Sequence, residues 1–348
     1  MYDVVVIGGG QAGLAAGYYL QKHGLRYILL EAGEQTAGSW VNYYENLRLF
    51  SPVQYSSLPG LPFPLVNDTY PSRTEVIQYL NQYQQQFDIQ VKTRSRVLKI
   101  NKDNHSFKIL TEDGSTYSAN SVICATGPFN QPYIPQVEGI EQYTGNIVHS
   151  YHYKNSDSFR NQRVIVVGGG NSAVQIAIEL SKVAVVSIAT RSPITYMSQR
   201  LLRKDIHFWT RLIGLDTLPL GQWIKIKNKE PVIDLGEYKT AIEQKQTPNR
   251  LPMFKRLVEK GVEWEDGEIE NVDSIIFATG YKPSFPYLNP LQAVDQEGYP
   301  IQKGGISTSV QGLYFVGLPW QRNHASATLR GVGPDAHYVI KYIRKEFS

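Results

Sequence analysis

The chain has 348 residues, a formal net charge of +4 and 42% hydrophobic residues, the composition of an ordinary globular protein with room for two or three modest domains. So small a charge excess argues against nucleic acid as a partner. The single cysteine, Cys124, excludes an internal disulfide framework and favours a reducing cytoplasm, while the absence of a leader or of any run near the roughly 18 apolar residues of a membrane helix argues against secretion and membrane insertion.

Residues 3–7, DVVVI, form a continuous β-branched run of the kind found in parallel strands covered on both faces. GGGQAG then turns the chain, LAAGYYLQKHG predicts a helix stopped at Gly24, and YILLEA predicts the next strand. Gly8, Gly10 and Gly13 stand at G-x-G-x-x-G spacing, and Glu31 follows 18 residues past Gly13. In such a unit the first glycine permits the turn, the second lets backbone approach a pyrophosphate, and the third lets helix and strand pack closely. The helix N-terminus, with Gln11 and Ala12, presents free amides to the phosphates. Glu31, beside Ala32, would accept hydrogen bonds from an adenosine ribose. The order of strand, turn, helix, strand and acid makes this far more specific than the glycines alone.

A second copy begins at Arg163 as RVIVVGGGNSAVQIA. Gly168, Gly170 and Ala173 take the G-x-G-x-x-A places, Asn171 and Ser172 open the helix, which should run to about Lys182, and VAVVSIA is the following strand. Here the acid is missing: Thr190, Arg191 and Ser192 stand at the strand's end. A guanidinium with a neighbouring hydroxyl suits a 2′-phosphate, which a carboxylate would repel. The second cradle is therefore expected to hold NADPH and the first FAD. Arg191, Arg200, Arg203 and Lys204 occur without an intervening acid, and Lys225, Lys227 and Lys229 follow; they are either a solvated face or a funnel for an anionic phosphate ligand.

A longer repeat supports duplication. EDGSTYSANSVICATG ends at Gly127 and EDGEIENVDSIIFATG at Gly280, with Asp-Gly at the same distance before Ala-Thr-Gly. Each is a hairpin turn leading to a buried strand whose end returns to the dinucleotide, through Ala125, Thr126 and Gly127 in one copy and Ala278, Thr279 and Gly280 in the other. GLYFVGLP adds a strand ending at Gly317, and a final helix is expected from about Pro334. The expected fold is α/β, with two Rossmann-like dinucleotide domains, the FAD domain (1–155 and 281–348) interrupted by the NADPH domain (156–280). Hydride would pass from nicotinamide to flavin, with the protein supplying placement and electrostatics. Without a cysteine pair or a metal-ligand spacing, the onward electron acceptor is oxygen, a quinone or a soluble partner.

The sequence resembles the class B flavin-dependent monooxygenases, in particular the short bacterial flavin-containing monooxygenases, over nearly its whole length. The resemblance rests on both fingerprints, on GSW at Gly38–Trp40 (with Ser39), LRLFSP from Leu47 to Pro52, ATG followed by PFNQPYIP, and ATGY ending at Tyr281. It rests also on YTGNIVHSYHYK, which follows the family identifier through Tyr143, Gly145, His149 and Tyr153, with tyrosine for the usual leading phenylalanine. It implies a cycle in which NADPH reduces FAD, oxygen forms a C4a-(hydro)peroxyflavin, and one oxygen atom goes to a soft nucleophile such as a sulfide or amine. Molecular oxygen and a small molecule are then the partners, in a monomer or a homodimer. A dry pocket matters more to such chemistry than a general base.

Trp40 either packs near the isoalloxazine or is a core aromatic, and Tyr281 is expected on the nicotinamide side. His149 and Tyr153 either fix a hinge or act in catalysis. Phe50 stands where many relatives have an asparagine; a phenyl ring cannot hydrogen-bond a peroxide, which implies leakage toward NADPH oxidase activity. The segment from Ser192 to Pro248 is a candidate substrate-side lid. Two other readings share the cradles: an NADPH-dependent flavin reductase serving a quinone or protein acceptor, and a non-catalytic redox sensor with bound flavin. Baeyer–Villiger oxidation fits less well, because the chain is short and lacks that group's longer signature.

Overall fold

A computed structural model describes residues 1–103, 105–222, 231–234, 236–244 and 248–346. Strand β1 (Tyr2–Ile7), helix α1 (Gln11–Lys22) and strand β2 (Tyr27–Leu30) form the expected βαβ unit, with Val5 beside Ile28 in parallel register. The chain then makes a long excursion, residues 31–72, before helix α2 (Arg73–Gln86). A capping box starts that helix: Ser72 Oγ accepts from the Glu75 amide, and the Glu75 carboxylate accepts from the Ser72 amide. Val76, Tyr79, Leu80 and Tyr83 fall on its buried face, the i, i+3, i+4, i+7 pattern of an amphipathic helix.

Strands β3 (Val91–Lys92), β4 (Val97–Lys102), β5 (Phe107–Thr111) and β6 (Thr116–Cys124) follow. The β5–β6 hairpin turns at Asp113-Gly114, where Gly114 takes a φ of +81°. Strand β6 then runs parallel to β1, pairing Val5 with Val122.

The chain leaves the first sheet through β7 (Gln131–Pro132) and enters a second with β8 (Asn146–His149), β9 (Arg163–Val167), α3 (Asn171–Leu180) and β10 (Val185–Thr190). An insertion carries β11 (Tyr196–Ser198), β12 (Arg200–Leu201), β13 (Lys204–Asp205), α4 (Ile206–Leu212), β14 (Val232–Asp234) and α5 (Tyr238–Gln244). Strand β15 (Asn249–Pro252) rejoins the sheet, and the antiparallel β16 (Arg256–Val258), β17 (Gly261–Glu263) and β18 (Ile269–Asn271) lead to β19 (Ser274–Phe277). The second sheet has the order β15-β10-β9-β19-β8, parallel throughout.

Strand β20 (Tyr281–Lys282) pairs antiparallel with β7, so the outward and return crossovers lie side by side. Strands β21 (Gln302–Lys303), β22 (Ile306–Ser307) and β23 (Leu313–Phe315) complete the first, nine-stranded sheet, β23 lying parallel to β6. Helix α6 (Leu329–Glu346) closes the chain. Among the described residues no helix is long and apolar enough to cross a membrane.

Two details depart from expectation. The linking segment before the second cradle is itself strand β8, paired through Ile147 with Ile275, so the second unit begins ahead of residue 156: β19 takes a partner on its outer edge. Helix α6 starts at Leu329 and carries Pro334 inside it. Its first turn is set by close approach rather than by proline, since a Cβ on Gly331 would lie 1.8 Å from the Ala325 carbonyl oxygen and one on Gly333 would lie 2.5 Å from the Pro59 ring.

Each sheet is covered on both faces. Beneath α1, α2 and α6 lies a core that includes Val4, Val6, Leu14, Leu29 and Val339, and the β4–β5 hairpin closes the opposite face over Val5, Ile100 and Phe315. In the second unit Val166, Ile176 and Ile188 form one core and Ile165, Leu257 and Phe277 the other. Tyr44, from the first unit's excursion, is buried in the former, so that excursion joins the two units.

Candidate active site

The first cradle is built by close backbone approach. Gly8 has a φ of +106°, and a Cβ there would come within 2.7 Å of the Ala125 oxygen. A Cβ on Gly13 would sit 1.9 Å from the Gly8 carbonyl oxygen, so helix α1 lies against its strand only because position 13 has no side chain. Gly38 faces Gly10, Gly317 packs against Ala12, and Trp40 Nε1 donates to Gln11 Oε1 at 2.9 Å. Gln11 in turn donates to the Ala327 carbonyl ahead of α6. Thr126 shares a 2.9 Å hydrogen bond with Tyr287, and Gly127 is open around its Cα. Thus residues predicted from four separate stretches converge on one loop.

Glu31 is buried at the end of β2, where its carboxylate accepts from the Gly9 amide at 2.5 Å and the Gly33 amide at 2.6 Å. Each oxygen keeps a second lone pair for another donor. Ala32 is exposed beside it at the rim. Ala37 holds a left-handed φ of 113° while its amide donates to Gly9, a strained conformation for alanine that presses Gly38 onto Gly10. No side chain caps α1, whose N-cap is Gly10, leaving first-turn amides for an anion.

The second cradle repeats the arrangement. Gly168 has a φ of +139°, and a Cβ there would lie 2.4 Å from the Ala278 oxygen. Around Gly170, the uncapped N-cap of α3, a Cβ would meet nothing within 4 Å. Two uncapped helix N-termini behind glycine turns, one with open space before it, fit dinucleotide pyrophosphates. Asn171 has a further role: its Oδ1 accepts from the Ile233 amide at 3.0 Å and anchors β14. Ser172 neighbours the Tyr44 hydroxyl, and Ala173 is buried in the first turn of α3. Arg191 and Ser192 are exposed just beyond β10. Lys225, Lys227 and Lys229 lie outside the described residues, whereas Arg200, Arg203 and Lys204 are exposed on the insertion.

Between the cradles runs a cluster of rings. Trp40 meets Tyr43 edge-on at 5.5 Å, and Tyr281 meets Phe129 at 5.6 Å and His149 at 5.4 Å. Burial raises the Tyr281 hydroxyl pKa, with Tyr43 and Tyr151 adding to it, so Tyr281 stays a neutral phenol.

His149 Nε2 donates to the Gly280 carbonyl at 3.0 Å and Nδ1 accepts from the Tyr151 amide at 3.1 Å, a tautomer inferred from these partners. Burial lowers its pKa. With both nitrogens committed to backbone, this neutral imidazole ties the crossover to the second ATG turn, whose Thr279 donates to the Tyr133 carbonyl. Gly145 is required beside it, because a Cβ there would run into the Tyr143 hydroxyl. Tyr153 is buried near Tyr44.

Leu47 packs against the second unit's core rather than into the first cradle. The Phe50 carbonyl accepts from Gln199 Nε2 at 2.8 Å, which ties that position to the insertion. Ser39 lies beside the Tyr43 hydroxyl. Cys124 is buried, and burial pushes its thiol up to about 12, which makes it a core residue rather than a redox thiol.

Sequence reasoning missed Arg250, which donates to Thr190 Oγ at 2.9 Å from the neighbouring strand β15 and adds a second guanidinium beside the end of β10. It missed Tyr43, and it missed the buried Gln199, Asp205 and His207. Arg250 meets Thr190, and Asp205 and Gln199 meet Tyr70 and Phe50, across long stretches of chain, while the short spacings from Trp40 to Tyr43 and from Asp205 to His207 carry no motif of their own.

A family model described as "Pyridine nucleotide-disulphide oxidoreductase" matches residues 5–317. The chain is 36% identical to an uncharacterized oxidoreductase, CzcO, of Bacillus subtilis (strain 168), over 99% of this chain and 100% of the relative. It is 27% identical to the indole-3-pyruvate monooxygenase YUCCA4 of Oryza sativa subsp. japonica, over 97% of this chain and 86% of that one. A solved flavin-containing monooxygenase from Stenotrophomonas maltophilia superposes with a TM-score of 0.87 at 30% identity, covering 100% of this chain and 99% of that one.

Proposed function

The chain belongs to the flavin-dependent monooxygenases of the pyridine nucleotide-disulphide oxidoreductase family, and on that premise we propose that it is an FAD monooxygenase driven by NADPH, inserting oxygen into soft nucleophiles such as sulfides and amines. The observation that carries the reading is the pair of uncapped glycine cradles joined by the rings of Trp40, Tyr43 and Tyr281. Its lone buried Cys124 leaves no thiol pair within the chain to relay electrons to a disulfide.

Gly8, Gly10, Gly13 and the first turn of α1 would hold the FAD pyrophosphate and Glu31 its adenosine ribose. Gly168, Gly170 and the first turn of α3 would hold the NADPH pyrophosphate. Arg191, Ser192 and Arg250 would hold the 2′-phosphate, since paired guanidinium and hydroxyl donors match its geometry. Bound FAD would supply reduction by NADPH and activation of oxygen, the chemistry that no side chain offers. The protein's part is to position the two rings and keep water away. Trp40, fixed through Gln11 and through Arg73 on its carbonyl at 3.1 Å, forms one wall, and Tyr281 the other.

Phe50 offers no hydrogen bond at the position where the resemblance to flavin-containing monooxygenases implies an asparagine, which supports substantial uncoupled NADPH oxidase activity beside oxygenation. Rapid mixing tests both points. The FAD-loaded protein is reduced anaerobically with NADPH and mixed with oxygenated buffer while the flavin spectrum is followed. A distinct absorbing species before the oxidised spectrum returns is the expected result. Direct return with stoichiometric peroxide release would turn the assignment to an oxidase or reductase.

A further inference from the structure

The second unit's insertion places a buried acid–imidazole pair against the first unit's excursion. Both oxygens of Asp205 are saturated: Oδ1 accepts from the backbone amide of His207 at 2.9 Å and its Nδ1 at 2.6 Å, and Oδ2 from the Tyr70 hydroxyl at 2.7 Å and Gln199 Nε2 at 2.5 Å. Burial works to raise the carboxyl pKa, but these donors, His207 foremost, hold it below the ordinary range. The ionised carboxylate has no proton to donate, so Nδ1 carries the hydrogen of this bond and Nε2 is the ring nitrogen that the carboxylate leaves unengaged.

Nε2 makes no hydrogen bond among the described residues, yet it is not one of the fully enclosed unpaired side-chain atoms. The residue as a whole is 6% exposed, so Nε2 is reached at most through a narrow opening. The Tyr55 ring of the first unit lies over the imidazole, centroids 6.1 Å apart and planes 25° apart. A base with one free nitrogen, turned by a saturated carboxylate, has the geometry of a general-base dyad.

Hydrogen bonds link the pair to residues of the candidate site. Gln199, which holds Asp205, also holds the Phe50 carbonyl, and three residues after Tyr70 the Arg73 guanidinium grips the carbonyls of Trp40 and Val41 at 3.1 Å each. On the other side the Gln199 amide donates to Asp234 of β14, the strand anchored on Asn171 of the second cradle. Tyr55, Tyr70, Asp68, Arg200 and Arg211, with Lys204 next in the chain, are ionisable groups around the pair among the described residues.

Resting on the function proposed above, we infer that His207, oriented by Asp205, accepts a proton from substrate, and that the substrates include amines that arrive protonated. An ammonium has no lone pair with which to attack an oxygen donor, whereas a sulfide needs no deprotonation. Transfer of the N–H proton to Nε2 frees the amine and leaves an imidazolium paired with the Asp205 carboxylate. The balance closes: a tertiary ammonium, NADPH and O2 give the amine oxide, water and NADP⁺. The ammonium proton and the hydrogen from NADPH become the two hydrogens of water; the nitrogen is oxidised and oxygen reduced.

The test uses the FAD-loaded protein, a tertiary alkylamine and the sulfide of matching shape. His207→Gln is expected to lower the amine-to-sulfide ratio of kcat/KM at neutral pH by roughly 10²-fold, the lower end of general-base effects, and the ratio should recover as pH rises and free amine accumulates. An unchanged ratio overturns the proposal. A second readout needs no turnover: in ¹⁵N-histidine-labelled protein, with His207 identified by its loss in the variant, the amine should move the ring nitrogens toward imidazolium and the sulfide should not. A signal silent to the amine overturns the proton site whatever the enzyme oxygenates. A responsive signal in a protein that oxygenates neither compound sustains the proton site and overturns the monooxygenase reading instead.

Discussion

Gly170→Ala separates the fold of the second cradle from its function. The residue has φ −101° and ψ −178°, which alanine adopts without strain, and its Cβ would meet nothing within 4 Å. Exchanging glycine for alanine at an uncapped N-cap costs about 1 kcal/mol at most. The open space is where the NADPH pyrophosphate should approach the backbone, and a methyl group there moves the phosphate off the first-turn amides. Losing one charge-assisted hydrogen bond costs about 1.5–3 kcal/mol, and each 1.4 kcal/mol is tenfold in affinity. The Kd for NADP⁺, measured calorimetrically on FAD-loaded protein, should therefore rise roughly 10- to 100-fold, while thermal unfolding of the ligand-free protein barely changes. Gly168→Ala provides the contrast: its Cβ would press within 2.4 Å of the Ala278 oxygen at a φ of +139°, so stability and binding should fall together. A native Kd in Gly170→Ala would refute the assignment of that space to the pyrophosphate.

Arg191→Ala should raise the KM for NADPH by about 10-fold or more, as expected for loss of a guanidinium–phosphate contact, and leave NADH nearly untouched; equal effects on both would remove the 2′-phosphate from this residue. Glu31→Gln leaves one acceptor oxygen for the amides of Gly9 and Gly33 and turns a donor toward the other, so the ligand-free protein should lose about 1–3 kcal/mol and retain less FAD; flavin content and melting of the purified variant check both. Asp335 is fully buried, and burial, set against Ser326 and Arg322, pushes its carboxyl up to about 6 from 3.8. Because the folded state holds this proton more tightly than the unfolded chain, stability should fall as pH rises from about 4 to 6 and then level. On this account the ionised form costs on the order of 3 kcal/mol, so the pH dependence in that window should flatten in Asp335→Asn, and denaturant midpoints that keep the wild-type slope would contradict it.

What was legible in the sequence is what is local in the chain. The cradles carry a local signature of strand, glycine turn and helix, in which Gly13 answers to Gly8 within the same turn, although Gly8 and Gly168 answer to Ala125 and Ala278 far along the chain. Gly8, Gly13 and Gly168 could be assigned their jobs before any coordinates, and the structure shows the close approaches that demand them. The Asp-Gly turns likewise announced the β5–β6 and β17–β18 hairpins, because the left-handed φ at Gly114 and Gly267 is local. The sheet membership of β8 was not legible, since an Ile-Val pair in a linking segment looks the same whether or not β19 lies beside it. Leu47 was read for the cofactor but packs on the second unit, a choice made by tertiary contact alone.

The insertion was least legible of all. Asp205 and His207 are two residues apart, a spacing with no meaning by itself, and they become a pair with one open nitrogen only because Tyr70, Gln199 and Tyr55 arrive from elsewhere to saturate the carboxylate and cover the ring. The described part of the insertion is held from several directions, by Asn171 on β14, by Arg330 and His324 on Asp216, and by Val232 and Ile242 packed into the second unit's core. If those anchors set the insertion, cutting one should loosen it without unfolding either sheet. Asp216→Asn removes the charge that Arg330 holds at 2.8 Å, and limited proteolysis of the variant should cleave within the insertion first while both sheets keep their protection from hydrogen exchange. Simultaneous loss of protection in β1 and β9 would mean that the insertion is part of one cooperative core.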